Sequence, residues 1–283
     1  MPNIYFPYLN LEFHINPIAF ELFGLPVYWY GIILTTGIIL GTLLSMFIAK
    51  KEGLNSDLII DFILYDILFA LLGARTYYVI FNWDYYKEHW GEILNLRQGG
   101  IAIYGAVIVS ILVAIVFTKI KKIDFFKFGD IAVFGLTLGQ AIGRYGNFVN
   151  MEVFGDYTNS KWAMRLLKEQ AKPPFSEKVL QNIQTAFGAE YIQVHPAFFY
   201  ESTWNVLLLI LLFIMRRYKK YDGQLFFTYL IGYGIGRYWI EGLRTDQLLL
   251  PIIQFPASQV VAILSIIMGI IGIFICRKPS KRV

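Results

Sequence analysis

FGDIAVFGLTLGQAI, residues 128–142, runs without a break into GRYGNFVNMEVFG, residues 143–155. The first half reads as membrane-spanning sequence. The second brings an arginine, two asparagines and a glutamate close together among glycines. Hydrocarbon accepts such a mixture only where the polar groups face protein, water or one another. The stretch therefore points to a chain built around a bilayer, with something polar held at the end of a span.

Composition agrees. Of 283 residues, 57% are hydrophobic and only 16% charged, against roughly 25% charged in soluble domains; mean hydropathy is +0.53. Crossing a roughly 30 Å core takes about 20 apolar residues. Seven stretches qualify, at about 26–49, 58–81, 100–118, 129–149, 196–215, 224–242 and 256–276. The expected fold is an all-α integral membrane protein, a single membrane domain over 1–283. Residues 1–25, rich in prolines and aromatics such as Tyr5, Phe13 and Phe20, read as an interfacial arm. They lack a basic region followed by an apolar run, so no cleavable signal peptide is expected. Residues 150–195, with KEQAKPPFSEK in their middle, read as an extracytoplasmic head insert.

Lysine and arginine set the orientation. Lys50 and Lys51, Lys119 to Lys127, Arg216 to Lys220 and Arg277 to Arg282 cluster at one set of span ends. That side is cytoplasmic, which leaves the N-terminus and the head insert outside. The net charge of +5 then belongs to loops facing anionic lipid, and no nucleic-acid partner is expected. One cysteine, Cys276, allows no intramolecular disulfide. His14, His89, His195 and Cys276 show no metal-ligand spacing, and no metal or cofactor is expected.

Arg75, Arg144 and Arg237 fall inside spans. At 1.5 Å per residue they lie roughly 20–26 Å from the cytoplasmic ends, all in the outer half of the bilayer. Tyr30 and Tyr104 enter their spans at the same side. A single arginine near a span end commonly snorkels or pairs structurally; three at one depth point to a polar site. In YGIGRYWIEGLR, 233–244, Arg237 and Glu241 share a helical face, with Arg244 beyond them. Their ion pair is structural on its own terms, yet a carboxylate that orients an arginine leaves donors for an anion. In HPAFFYES, 195–202, His195 reads first as an interfacial cap, with catalysis as the alternative, and Glu201 needs a partner. No G-x-S-x-G elbow, H-E-x-x-H or phosphate loop occurs. Outward-facing arginines suit a phosphate, and the phosphate at hand is a phospholipid headgroup.

GRYGNFVNMEVFG, together with WYG (29–31), GGIAIYGA (99–106), HPAFFYE (195–201) and the YGIGR…E..R block, resembles the motifs of the bacterial prolipoprotein diacylglyceryl transferases, in family order. The resemblance implies transfer of diacylglycerol from phosphatidylglycerol to the lipobox cysteine of prolipoprotein signal peptides, at the outer face of the bacterial cytoplasmic membrane. It implies Arg144 and Arg237 as principal functional residues, and Tyr30, Asn147, Glu152, Gly155, Tyr233, Glu241 and Arg244 as site positions. Arg75 and His195 join them as candidate substrate-binding residues. Tyr104 stands where some members carry a histidine proposed as the base. A tyrosine, with a pKa near 10, is mismatched to that task, so Glu201 and Glu241 are alternatives. A second function class, an outer-leaflet anion or lipid transporter or flippase, would call for repeated halves and midplane sites; no repeat is evident.

Overall fold

The computed structural model describes residues 1–95, 99–250 and 254–276. Arg97 and the basic tail Arg277, Lys278, Lys281 and Arg282 lie outside the described residues. Among those described, long helices fall where the apolar stretches do: α1 (Trp29–Lys51), α2 (Asp57–Phe81), α4 (Ile103–Lys121), α5 (Phe125–Val149), α7 (Ala197–Arg216), α8 (Gln224–Glu241) and α9 (Ala257–Cys276). Two shorter helices are α3 (Trp83–Tyr86) and α6 (Glu177–Gln181). Five of them, α1, α4, α5, α7 and α9, are long and apolar enough to cross a membrane. Their flanks expose residues such as Ile39, Leu43, Ile111, Leu207, Leu264 and Ile271, as lipid-facing surfaces do.

An all-α chain is not what forms. Two sheets are present, a five-stranded antiparallel sheet and a two-stranded hairpin. The sheet combines β1 (Ile4–Phe6) and β2 (Leu11–Phe13) with β5 (Met164–Leu167), β6 (Gln184–Ala186) and β7 (Ala189–Val194), in the order β2-β1-β5-β7-β6. The start of the expected arm is thus zipped to the expected head, with Ile4 opposite Leu166. The cause is period-two patterning. Ile4, Phe6, Met164, Leu166, Ile192 and Val194 point into one core with Met151, Phe154 and Val179. The residues between them face the other way, where the Arg165 Nε donates to Gln193 at 2.7 Å. The hairpin pairs β3 (Ile18–Leu22) with β4 (Leu25–Tyr28) and leads directly into α1.

The chain divides into two compact units, Met1–Gly41 with Val133–Val283, and Thr42–Ala132. In the first, α1 and α5 meet along facing glycines. A Cβ on Gly41 would come within 2.6 Å of the Gly135 carbonyl oxygen, and one on Gly37 within 3.2 Å of that of Gly139. Small residues four apart permit this backbone approach. The glycines of α8 do the same on two sides: Gly232 and Gly236 meet Leu208 and Trp204 of α7, and Gly234 meets Ala262 of α9.

In the second unit, α2 and α4 close on Gly73 and Gly105. Arg75 is 5% exposed. Its guanidinium donates to four backbone carbonyls, those of Ile93 (2.7 Å), Gly99 (2.9 Å), Gly100 (2.8 Å) and Glu92 (2.7 Å).

Candidate active site

The first unit brings Arg144, Glu201, Arg237, Glu241 and Arg244 into one network. Glu201, on the second turn of α7, is its centre. Its Oε2 sits 2.8 Å from Arg144 Nε and its Oε1 3.3 Å from Arg237 Nη1, with Arg244 Nη1 at 4.0 Å. Glu241, one turn beyond Arg237 on α8, takes Arg237 Nη2 at 2.7 Å and Arg244 Nη1 at 3.5 Å. Both carboxylates are buried, at 4% and 2% exposure. Buried charge of this kind is stable only when shared and hydrogen-bonded, and removing one partner is costly.

The three guanidiniums are not equivalent. Arg237 is held by both glutamates and by the Ser258 hydroxyl at 3.3 Å. Arg244 donates from Nε and Nη2 to the two oxygens of Asp246, at 2.8 and 2.7 Å. Arg144 has one carboxylate on Nε and a long contact, 3.4 Å, from Nη1 to Asn147 Oδ1. It also keeps the most exposed side chain of the three, 21% against 16% and 10%. Of the three, Arg144 therefore has the most donors left for a further anion.

Glu152 lies close to Arg144 in sequence but does not pair with it. It stands one step away: Asn147 Nδ2 and Asn150 Nδ2 donate to its Oε1 at 3.2 and 3.3 Å, and Lys172 meets its Oε2 at 2.7 Å. The carboxylate of Arg144 comes instead from Glu201, far away in sequence. Asn147 links the two by accepting from Arg144 and donating to Glu152. The chain reaches this arrangement through strained backbone, with Met151 at φ 49° and the β-branched Val153 at φ 58°. Left-handed conformations are costly for such residues and cluster at sites that the surrounding fold over-determines.

Gly155 explains its own identity. Its N–H donates to the His195 carbonyl at 3.0 Å, and it forms a bridge with Arg244. A Cβ there would meet the His195 Cβ at 2.7 Å and the Leu243 carbonyl oxygen at 2.9 Å. The motif containing Arg144, the entry to α7 and the exit of α8 are thus stitched together at one residue. His195 serves this junction: its N–H donates to the Asp156 carbonyl, and its ring Nδ1 lies 3.3 Å from the Tyr200 hydroxyl. Burial pushes its imidazole below the usual 6.5, against the opposing pull of Asp156.

Tyr30 packs its ring on Gly146, where a Cβ would sit 2.8 Å from the ring. It also lines a groove of about 1430 Å³ with Asn3, Ile15, Thr35, Asn150 and Lys172. Tyr233 stacks on Tyr229 at 5.5 Å, one turn inward from Arg237. Arg75 and Tyr104 belong to the other unit. Asp246, Ser258 and Lys172 were not singled out from sequence. Asp246 was legible as an acid two residues from Arg244, whereas Ser258 and Lys172 reach the site from distant segments.

Chemically, the cluster offers guanidinium donors fixed by buried carboxylates, which suits an anion whose charge grows during reaction. Comparison with known proteins bears on this. Residues 17–275 match the family model described as prolipoprotein diacylglyceryl transferase. A Bacillus velezensis protein named phosphatidylglycerol–prolipoprotein diacylglyceryl transferase is 44% identical over 257 residues, covering 91% of this chain and 90% of its own. Proteins of the same name are 40% identical in Clostridioides difficile, over 93% of this chain and 96% of theirs, and in Lysinibacillus sphaericus, over 96% and 97%.

Proposed function

The chain belongs to the prolipoprotein diacylglyceryl transferase family, and we propose that it transfers the diacylglyceryl group of phosphatidylglycerol to the lipobox cysteine of prolipoproteins. The observation that carries this reading is the Arg144–Glu201–Arg237 arrangement inside the matched region. In the proposed reaction the cysteine sulfur attacks the glycerol carbon of the diacylglycerol half. A carbon–sulfur bond forms, the carbon–oxygen bond to phosphate breaks, and the electron pair leaves on the phosphate as glycerol phosphate. Arg144 donates to the phosphate oxygens as their charge grows. Arg237 adds a fixed positive charge behind it, held by Glu201 and Glu241.

The thiolate is the competent nucleophile. Glu201 and Glu241 spend their oxygens on arginines, so protonating either would cost those pairs. The leaving phosphate becomes a monoester with a second pKa of about 6, and it can carry the thiol proton to water. Tyr104 then orients substrate. Tyr30 and Asn150 bring the large groove to the edge of the site, and the peptide enters there.

In this account α2 and α8 also span, giving seven crossings. The N-terminus and the 150–195 head lie outside, the C-terminus lies in the cytoplasm, and the site faces the outer leaflet of the bacterial cytoplasmic membrane. The test is direct. Purified protein, phosphatidylglycerol and a synthetic lipobox peptide should yield a peptide whose cysteine gains a diacylglyceryl mass, with glycerol phosphate released in equal amount. A peptide that stays unmodified under conditions where the protein is folded would overturn the reading.

A further inference from the structure

Asp246 holds Arg244 as a phosphate would. Nε and Nη2 of Arg244 run in parallel to Oδ1 and Oδ2 of Asp246 at 2.8 and 2.7 Å. This is the side-on, two-point geometry in which guanidinium takes either a carboxylate or a phosphate. The opposite corner of the same guanidinium faces Glu241 and Glu201. The three acids around the arginines differ in one respect. The side chains of Glu201 and Glu241 are 5% and 2% exposed, whereas that of Asp246 is 27% exposed. Asp246 also lines a small outward cleft of about 180 Å³ with Thr245, Glu152 and Lys172. It is the acid that can turn away without burying an unpaired charge, and Lys172 borders the space into which it would turn.

The arrangement also has a charge logic. Arg144, Arg237 and Arg244 stand among Glu201, Glu241 and Asp246. With all three carboxylates in place, a phosphodiester would add a negative charge to a cluster that is already matched. Displacing Asp246 from Arg244 restores the match.

Resting on the proposed transferase reading, we infer that Asp246 is a built-in competitor for the substrate phosphate: it swings off Arg244 when the phosphate docks and returns to displace the glycerol phosphate product. The product carries more charge than the lipid phosphate it came from, so it holds the arginines more tightly. A returning carboxylate speeds its departure. Asp246 is thus a residue for product release rather than for the displacement step.

The test compares wild type with Asp246→Asn, which keeps size and one acceptor but removes the charge. The readouts are the initial rate of peptide modification and its competitive inhibition by added glycerol phosphate, with inorganic phosphate as a second probe. Charge-assisted pairs are roughly twice as strong as neutral ones, and the pair is partly exposed. The expected result is therefore a Ki for glycerol phosphate lower by about two- to fivefold and a lower KM for phosphatidylglycerol. Asp246→Glu, which keeps the charge, should restore the wild-type Ki. If Asp246 merely braces Arg244, Asp246→Asn will raise KM or lower kcat and leave both Ki values unchanged or higher, and the inference falls. Loss of stability is read separately from the thermal midpoint; if Asp246→Asn is poorly folded, Asp246→Ser takes its place, with the same lowered Ki expected and an unchanged or higher Ki overturning the inference. Failure of the wild type to modify the peptide at all would overturn the transferase reading instead.

Discussion

Arg144 and Arg75 are the same residue type, both were expected at a substrate site, and the fold treats them in opposite ways. Arg75 gives four of its donors to neutral backbone carbonyls between Glu92 and Gly100. Its work is to hold a loop. Arg144 gives one donor to a buried carboxylate and one long contact to an amide. Its orientation is fixed while donors remain. Carbonyls use up the fork of a guanidinium; a carboxylate on one edge aims it. The partners of a buried arginine therefore say more about its role than its depth does.

The largest expected effect separates these two. Arg144→Ala should lower peptide modification by about 10²–10³-fold at matched folded fraction, the loss typical of one donor to a developing oxyanion, on top of the stability lost as buried Glu201 gives up one partner. Arg75→Ala should lose stability as the carbonyls of Glu92, Ile93, Gly99 and Gly100 lose their shared donor, while the folded fraction keeps its turnover. If the two variants lose activity in parallel with stability, the distinction breaks.

Glu201→Gln sharpens the comparison from the carboxylate side. It leaves Arg144 and Arg237 facing a neutral amide at the centre of the network. Breaking a buried pair from one side costs about 3–5 kcal/mol, so both stability and rate should fall. An unchanged thermal midpoint would mean that Glu201 does not bind the arginines together.

A smaller change is expected at Tyr104. Tyr104→Phe should keep activity within about tenfold, because a positioned acid or base would be worth about 10²–10⁴-fold and an orienting hydroxyl is worth less. A folded but inactive Tyr104→Phe would restore the tyrosine hydroxyl to the proton path.

The smallest effect concerns the junction that carries Gly155. Burial lowers the His195 pKa from 6.5, so the unfolded chain binds this proton more readily than the folded one. Stability is complete above about pH 6.5 and falls as pH drops below it. His195→Gln should flatten that part of the stability–pH curve and leave turnover at neutral pH nearly unchanged. An unaltered curve would mean that burial does not shift the His195 imidazole.

The long helices were legible because apolar runs of their length have few other uses. The sheet was not. Its strands, such as Ile4–Phe6 and Gln184–Ala186, are three residues long, and the sheet is closed by β1 joining β5 across some 160 residues of sequence. Within the site, Arg237 and Glu241 were readable because helical spacing alone brings them together. The Glu201 contact to Arg144 was not, because it depends on how α5 packs beside α7. Proximity in sequence pointed to Glu152, which the turn at Met151 and Val153 directs to Asn147 and Lys172 instead.

The most direct measurement is phosphatidylglycerol binding by wild type, Arg144→Ala and Arg75→Ala, purified in the same detergent and compared at matched folded fraction. Arg75→Ala should bind with wild-type affinity and Arg144→Ala at least tenfold more weakly, in line with the loss of a charge-assisted contact. Wild-type affinity and transfer by Arg144→Ala would contradict this and place the phosphate elsewhere.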